Sequence, residues 1–198
     1  MIDFSVAIRL YNGALVLPRI LDALGTQVMS DGIRWEVIIV DNNSVDSTAD
    51  IVSEYPRTWT ACSLRYVLDT QQGASFARLR AILEAQGTWI GFLDDDNIPA
   101  SDWVQSAYTF GQAHPSAAAF GGQIHPNYET APPVNFERIA PFIPVVEREE
   151  VVCFTTGWRA MSNLVPPGAG LVILRQAWLD YVPYPLTLRG TVGNSLTS

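Results

Sequence analysis

The sequence predicts an α/β protein built on a mostly parallel sheet, and three observations support this class. Short apolar runs typical of buried strands alternate with segments whose apolar residues recur at helical spacing. The alternation continues through the first half of the chain, and strands separated by helices of this length pair in parallel with right-handed crossovers. Polar residues follow three of the predicted strands, at the ends where ligands bind in open sheets of this kind.

Four strands are predicted in this first half. The apolar residues of the first strand alternate with smaller or polar residues, whereas the second strand is a continuous, β-branched run of the kind that is buried on both faces. The predicted strands cover residues 4–10, 35–40, 64–68 and 89–93.

Three helices connect these strands. The first covers residues 15–24, and Pro18 lies in its first turn, where proline is tolerated. The second covers residues 48–55, and Asp46 is one of the polar residues that can cap its N-terminus. The third covers residues 76–85 and ends before Gly87.

The second half of the chain is less regular. Its predicted elements are a helix over residues 101–110, a strand over 117–120, a strand over 171–174 and a helix over 176–181. Residues 127–150 are rich in proline and predict a long loop, which we interpret as a lid or a partner-facing element.

Composition limits the classes of function. The 198 residues suit a single domain, and a hydrophobic fraction of 48% is enough for a packed core. The net charge of -8 argues against a general surface for nucleic acid or anionic membrane. No run approaches ~20 uninterrupted apolar residues, so we expect no membrane span. Cys62 and Cys153 form no metal or redox motif and, with no signal peptide at Met1, favour a reducing compartment.

The most informative segment is an acidic run, Asp94, Asp95 and Asp96, that follows the fourth predicted strand. In an extended chain Asp94 and Asp96 share one face and Asp95 takes the other. Two carboxylates ~5 Å apart repel by roughly 3 kcal/mol at an effective dielectric of ~20, so the run favours a bound cation. Oxygen ligands select a hard ion, Mg²⁺ or Mn²⁺, which can hold a diphosphate. The alternative interpretation is a solvated acidic turn that caps the next helix.

Two further polar groups follow predicted strands. Tyr11 and Asn12 follow the first strand, and residues 41–44 follow the second. In a parallel sheet these groups lie at the same edge as the acidic run, although the sequence does not show that they are neighbours. Core packing alone does not explain why each of these strands is followed by such a group.

Several segments, taken in order, resemble a known family. They are residues 6–12, residues 40–48, Gly73 with Ala77 and Arg78, and residues 92–97. Together they are similar to family 2 glycosyltransferases with the GT-A fold, a Rossmann-like three-layer sandwich. The resemblance implies that a sugar is transferred, with inversion, from a nucleotide-diphosphate sugar to an acceptor in polysaccharide or glycan biosynthesis. It implies a single domain over residues 1–198, with a nucleotide-sugar-binding half at 1–99 and a partial acceptor-side half at 100–198.

The resemblance also implies roles for particular residues. Tyr11 is expected near the base and ribose, Asp41 as an acceptor for an N–H of uracil or guanine, and Arg78 as a fork for the diphosphate. Asp96 is expected to bind the metal, and Asp95 to contact the donor sugar. The implied donor-binding set is Leu10, Tyr11, Asn12, Asp41, Asn43, Gly73, Arg78, Asp94 and Asp95; the metal set, for Mg²⁺ or Mn²⁺, is Asp96 and Asp94; and the acceptor-side set is Gly168, Ala169 and Gly170.

Ordinary structural roles compete with these assignments. Tyr11 can cover the core at a strand end, and Asp41 can cap the turn that follows it. Arg78 can lie on a solvated helix face, and Arg80 on the same helix competes for the phosphate role.

The implied reaction is a direct displacement at the anomeric carbon, in which a general base takes a proton from the acceptor hydroxyl. The family supplies this base from an acidic pair soon after its Gly-Ala-Gly segment. After Gly170 the only acid in this sequence is Asp180, so we expect the base to lie beyond Ser198 and the chain to be truncated. The alternative function is therefore a non-catalytic nucleotide-sugar-binding fragment or assembly module.

The expected partners are a UDP- or GDP-type sugar and a glycan or lipid-linked acceptor, with no nucleic acid. We expect the protein in the cytoplasm, either free or peripheral at the inner face of the membrane.

Overall fold

The structure is a computed structural model that describes residues 1–30, 32–55, 59–128, 130–138, 145–147, 150–151 and 168–182. Cys153 lies outside the described residues, and so do residues 183–198.

In the part of the chain that the structure describes, six strands form one sheet. They are β1 (Ile2–Leu10), β2 (Trp35–Asp41), β3 (Ser63–Leu68), β4 (Gly87–Leu93), β5 (Ala119–Phe120) and β6 (Val172–Leu174). Their order across the sheet is β3-β2-β1-β4-β6-β5. The strands β1 to β4 pair in parallel, and β6 is antiparallel to both of its neighbours. The prediction of a mostly parallel sheet is therefore confirmed.

Helices cover both faces of this sheet. The described helices are α1 (Leu17–Gly25), α2 (Thr48–Glu54), α3 (Ala74–Glu84), α4 (Trp103–Ala113) and α5 (Arg175–Tyr181), together with a 3-10 turn over Phe136–Arg138. Apolar residues of α1, α2 and α4 join one buried cluster, and those of α3 and α5 join a second cluster on the other face. The predicted three-layer arrangement is thus confirmed.

The strands supply both clusters because their side chains alternate between the two faces. In β1, Phe4, Val6 and Ile8 belong to the cluster beneath α1, whereas Ala7 belongs to the cluster beneath α3. This double burial explains why β2 and β4 carry apolar residues on both faces.

The predicted elements are all present, and their ends differ from the prediction by up to three residues. The largest difference is at α4, which continues past the predicted end at residue 110 to Ala113. Gly111 lies inside this helix, and a Cβ at this position would lie 2.7 Å from the ring of Trp89. The glycine is thus required for close packing of α4 on β4 rather than for a helix end.

The direction of the connections reverses between β1 and β4. The helices α1 and α2 lie on one face of the sheet, and α3, which leads into β4, lies on the other. This reversal is the topological switch point, where open α/β sheets form a crevice at the carboxyl ends of their strands. Arg9 lies near the end of β1, and Asp94 follows β4 directly.

A buried polar network holds the amino-terminal side of the sheet. Glu36 in β2 is only 1% exposed, and its carboxylate accepts hydrogen bonds from Ser5 Oγ at 2.7 Å, from Gln86 N at 2.8 Å and from Arg65 Nε at 3.0 Å. Since an unpaired buried carboxylate costs several kcal/mol, these donors link β1, β2, β3 and the start of β4 around one side chain.

Hydrogen bonds also join the loops that follow β1 and β2. These bonds run from Asn12 N to Ser44 Oγ (2.8 Å), from Val45 N to Asn12 Oδ1 (2.9 Å), from Gly13 N to Thr48 Oγ1 (3.0 Å) and from Ala14 N to Asp46 Oδ2 (3.1 Å). Asn12 adopts φ 57°, a left-handed conformation that asparagine tolerates better than most residues. The two loops therefore form a single framework at the carboxyl edge of the sheet.

Among the described residues, none of the helices combines the length and apolar character that crossing a bilayer requires.

We expect Glu36→Ala to lower the free energy of unfolding by about 3 kcal/mol or more. The substitution leaves Ser5 Oγ, Gln86 N and Arg65 Nε without their acceptor. Urea denaturation followed by circular dichroism measures this loss. The control is Glu54→Ala, which removes an exposed carboxylate of α2 and should change stability by no more than ~0.5 kcal/mol. Equal effects of the two substitutions would show that the Glu36 network contributes no stability.

Asp46 makes the stability of the loop framework depend on pH. The hydrogen bond from the Thr48 hydroxyl, supported by the backbone N–H groups of Ala14 and Thr48, lowers the pKa of Asp46 below 3.8 despite some desolvation. A lowered pKa stabilises the folded protein above the ordinary aspartate value, and this stabilisation is lost as the pH falls through the folded-state pKa. Asp46→Asn should therefore unfold at a lower temperature than the wild type at pH 7. Thermal melts between pH 7 and pH 2.5 should show the difference shrinking at the acid end; a difference independent of pH would contradict the assignment.

Candidate functional site

The predicted site residues lie at the carboxyl ends of β1, β2 and β4. Leu10 ends β1 with its side chain in the core, and its carbonyl accepts a hydrogen bond from Asn42 N at 2.9 Å. Tyr11 follows it and is half exposed, so its ring is available to a ligand rather than covering the core. Asn12 lies in the loop framework described above.

Asp41 is almost fully buried, and both of its carboxylate oxygens accept hydrogen bonds. Oδ1 accepts from Ser44 N at 2.8 Å, and Oδ2 accepts from the hydroxyl of Tyr66 at 2.6 Å. Burial, and then the hydrogen bond and charge of Asp41, raise the pKa of Tyr66 far above its usual value, so Tyr66 remains a donor at neutral pH. The turn-capping role that competes for Asp41 is therefore present, while Tyr66 holds the other oxygen in a fixed direction.

Asn42 connects the same framework to the loop that precedes α3. Its side chain is buried; Nδ2 donates to Gln71 O at 2.8 Å, and Oδ1 accepts from Gly73 N at 2.7 Å. Gly73 has φ 138°, a conformation that favours glycine. Asn43, the next residue, also has a positive φ of 66°. Three strand-end loops are thus linked, with Gly73 at the start of α3.

The acidic run forms a turn rather than an extended segment. β4 ends at Leu93, and the backbone N–H of Asn97 donates to the carbonyl of Asp94 at 3.1 Å. Asn97 also accepts a hydrogen bond from Asp94 N at 3.1 Å and donates one to Asp96 at 2.9 Å. The prediction that Asp94 and Asp96 share one face of an extended strand is therefore wrong, because the chain turns as soon as it leaves the sheet.

The carboxylates in this turn differ in their surroundings. Asp95 and Asp96 are exposed and form no ion pair with any residue that the structure describes, whereas Asp94 is partly buried against an arginine. Desolvation and the negative charges of Asp96 and Asp94 raise the pKa of Asp95. The crowded carboxylates are a donor set of hard oxygens that suits a divalent cation.

Within the described residues, no group of three or more His, Cys, Asp or Glu side chains is arranged to hold a metal ion. Mg²⁺ commonly needs only one or two carboxylates, because water and substrate phosphates complete its coordination. Asp95 and Asp96 meet this requirement in chemistry and exposure, so the residues present fit such an ion.

A cluster of opposite charges lies at the switch point. Arg9 Nη2 is 2.7 Å from Oδ1 of Asp94, so that the ion pair bridges the ends of β1 and β4. The N–H direction does not meet hydrogen-bond geometry, and the buried Oδ1 atom has no hydrogen bond within the described residues. Burial, and then the charge of Arg9, lower the pKa of Arg78, while the charge of Asp94 opposes this shift.

The two arginines of α3 have different surroundings. Arg80 pairs with Glu84 at 2.9 Å on the exposed side of the helix. Arg78 instead lies over the ring of Phe92, with Cζ 5.2 Å from the ring centroid, and forms no ion pair with a described residue. Arg78 therefore lies against the end of β4, whereas Arg80 lies on the exposed side of α3.

The predicted acceptor-side segment, Gly168–Ala169–Gly170, packs against this cluster. Gly170 N donates to Phe92 O at 3.0 Å and adopts φ 67°. A Cβ on Gly168 would lie 3.1 Å from Nη2 of Arg78 and 3.9 Å from Oδ2 of Asp94. The structure thus places this late segment within van der Waals reach of two predicted donor-binding residues.

Three residues at this edge were not assigned a role from the sequence: Arg9, Asn42 and Tyr66. Arg9 carries a detectable signal, since it is a charged residue inside an otherwise apolar strand. Asn42 lies within the polar group predicted after β2, although only the fold shows that it reaches Gly73. Tyr66 has no sequence signal, because its contact with Asp41 depends on the parallel pairing of β2 and β3.

The chain is similar to known proteins in sequence and in fold. The model of Glycosyl transferase family 2 matches residues 5–170. A PGL/p-HBAD biosynthesis glycosyltransferase of Mycobacterium bovis (strain BCG / Pasteur 1173P2) is 34% identical over 125 residues, which cover 61% of this chain and 46% of that protein. The chain thus spans about half the length of the curated relative.

Two solved structures have a similar fold. S. aureus TarS 1-349 in complex with UDP-GlcNAc superposes with a TM-score of 0.65 at 21% identity, covering 90% of this chain and 47% of that chain. The mannosyltransferase PcManGT from Pyrobaculum calidifontis, in complex with GDP-Man and Mn²⁺, gives 0.64 at 22% identity, covering 92% and 47%. The prediction of a GT-A fold is confirmed. Because the family model matches most of the chain, from residue 5 to residue 170, this protein belongs to glycosyl transferase family 2.

Proposed function

We propose that this chain forms the donor-binding part of an inverting, metal-assisted glycosyltransferase of polysaccharide or glycan biosynthesis. Its donor is a UDP- or GDP-type sugar, and its acceptor is a hydroxyl of a glycan or lipid-linked molecule. We further propose that it acts in the cytoplasm or at the inner face of the membrane.

The observation that carries this proposal is the position of Arg78. Its guanidinium lies at the switch point, beside Asp94 and Gly168, and forms no ion pair with a described residue. A partly buried arginine without an ion-pair partner favours an anionic ligand, and its planar fork matches phosphate oxygens. The crevice at the switch point is also where ligands bind in sheets of this type.

The framework beside this cluster suits a nucleoside. Tyr11 presents an exposed ring, and Asp41 is a buried acceptor whose oxygens are directed by Tyr66 and Ser44. An ionised carboxylate only accepts hydrogen bonds, so it selects bases that offer a ring N–H, as uracil and guanine do. The solved structures of similar fold contain UDP-GlcNAc in one case and GDP-Man in the other, which supports this class of donor.

Asp96 and Asp95 are the residues that we propose for a divalent cation, with Asp94 beside them. Asp94 is already held by Arg9, whereas Asp96 is exposed and has only Asn97 as a hydrogen-bond partner within the described residues. When bound, the cation supplies positive charge that stabilises a departing diphosphate. The Mn²⁺ in the complex of PcManGT supports this choice of ion.

The chain's own residues then orient the reacting groups. The linked loops after β1 and β2 would hold the nucleoside and Arg78 the diphosphate, so the sugar would lie on the side of Gly168–Ala169–Gly170, next to Arg78. A glycine at position 168 leaves room next to Arg78, where a Cβ would lie 3.1 Å from Nη2. The acceptor hydroxyl must lose a proton to a general base. We do not propose Asp180 as this base, because it lies on the exposed side of α5 and accepts a hydrogen bond from Gln176 at 2.7 Å.

We expect Asp96→Ala to weaken binding of UDP or GDP in the presence of Mn²⁺ by about tenfold or more, or ~1.4 kcal/mol, because an exposed metal ligand is lost. Isothermal titration calorimetry with and without EDTA measures the metal-dependent part of the affinity. Asp50→Ala, which removes an exposed carboxylate of α2, is the control and should bind as the wild type does. An affinity of Asp96→Ala equal to that of the wild type would exclude Asp96 as a metal ligand.

An assay of sugar release and transfer separates the enzyme from the alternative function. Binding of UDP- or GDP-sugars together with release of the nucleoside diphosphate supports a transferase. Binding without release supports a nucleotide-sugar-binding module.

A further inference from the structure

The two arginines at the switch point outnumber the acid that they share. Arg9 contacts Asp94 at 2.7 Å, and Nη2 of Arg78 and Oδ2 of Asp94 both lie within 4 Å of the position of a Cβ on Gly168. Asp95 and Asp96 lie in the adjoining turn, but neither forms an ion pair with a described residue. Arg78 is therefore partly buried without an ion-pair partner in the part of the chain that the structure describes, and this needs a physical cause.

Arg9 lies on the face of the sheet that α3 covers. Side chains alternate along β1, and Ala7, two residues earlier, packs in the cluster beneath α3. Arg9 is opposite Val40 of β2 in the parallel register, and its side chain is 26% exposed. It therefore projects from the last part of the strand toward the same crevice as Arg78.

Neither guanidinium is satisfied within the described residues. Arg9 Nε and Arg78 Nε are both buried without a hydrogen-bond partner, and so is Oδ1 of Asp94. A buried donor without an acceptor typically costs about 1–3 kcal/mol, and more when the group is charged. A ligand with several anionic oxygens, bound at the accessible parts of these side chains, would offset the repulsion between the two arginines.

The need to neutralise Asp94 does not explain why two arginines lie at the switch point. A single guanidinium is enough to balance one carboxylate, and Arg9 already makes that contact. Nη2 of Arg78 and Oδ2 of Asp94 both lie within 4 Å of the position that a Cβ of Gly168 would take, so Arg78, Asp94 and Gly168 surround one small space. This space adjoins the acidic turn that we propose for the cation.

We propose that Arg9 is a second diphosphate-binding residue, which contacts the donor's phosphate oxygens together with Arg78 while Asp94 holds its guanidinium in place. The inference rests on the proposed function, since it assigns a further residue to the same donor site. Two forks on neighbouring phosphates would bind a diphosphate more tightly than a single phosphate or a nucleoside.

The test compares diphosphates with nucleosides, using the 198-residue chain and its Arg9→Gln variant. UDP, GDP, uridine and guanosine are titrated separately, with Mn²⁺ and with EDTA, and binding is followed by NMR chemical shifts. Loss of a charge-assisted hydrogen bond should weaken the binding of UDP or GDP by about ten- to a hundredfold. The affinity for the matching nucleoside should stay at the wild-type value, and the dependence of diphosphate affinity on salt concentration should decrease.

Two variants serve as controls for this comparison. Arg80→Gln removes the α3 arginine that pairs with Glu84 outside the crevice, and it should bind every ligand as the wild type does. Arg9→Lys keeps a positive charge beside Asp94 but lacks the fork, so its loss should be intermediate and confined to the diphosphates. If Arg9→Gln fails to fold, as judged by circular dichroism, Arg9→Lys decides the question.

The inference is overturned if Arg9→Gln binds UDP and GDP as the wild type does, or if it loses nucleosides and diphosphates equally. Full diphosphate affinity in Arg9→Lys overturns it as well, since Arg9 would then serve only to balance Asp94. A wild-type chain that binds neither UDP nor GDP under any of these conditions gives a different pattern, and that result contradicts the proposed function itself.

Discussion

Parallel pairing of β1 with β2 and with β4 is the constraint on which the candidate site depends. The register places Leu10 opposite Asp41 and Ile8 opposite Leu93, so the residues that follow these strands meet at one edge. The 2.7 Å contact between Arg9 and Asp94 forms directly across this register. Slipping β4 by one residue against β1 would turn its side chains to the opposite faces and separate the pair.

Polar networks on both sides of the sheet keep this edge in position. On the amino-terminal side of the sheet, the carboxylate of Glu36 accepts hydrogen bonds from residues of several strands. On the carboxyl side, the loops after β1, β2 and β3 are linked by hydrogen bonds. Asn42 and Asp46 are central to these loops because the side chain of each accepts a hydrogen bond from the backbone of another loop. Asn42 accepts from Gly73 N, and Asp46 accepts from Ala14 N. The residues that we propose for ligand binding are thus supported by hydrogen-bonded backbone.

The site also combines charges of both signs at short range. Exposed carboxylates in the turn at Asp95 and Asp96 lie beside the partly buried arginines Arg9 and Arg78. If a cation and a diphosphate bound together, the cation would balance the carboxylates and the diphosphate would balance the arginines. This arrangement explains how an acidic chain can offer a site to a strongly anionic donor without a basic surface.

The sequence by itself determined the fold class, the order of the elements and the edge at which the polar groups gather, because alternating apolar periods and strand-end residues are local signals. It also contained the segments that identify the family. Only the tertiary structure decided which groups meet. The turn at Asp94 is local, because Asn97 closes it three residues later. The contact of Tyr66 with Asp41 and the pairing of Arg9 with Asp94 depend on strand register, and the separation of Arg78 from Arg80 depends on how α3 packs on the sheet. The two contacts join residues distant in sequence, and no local pattern encodes them.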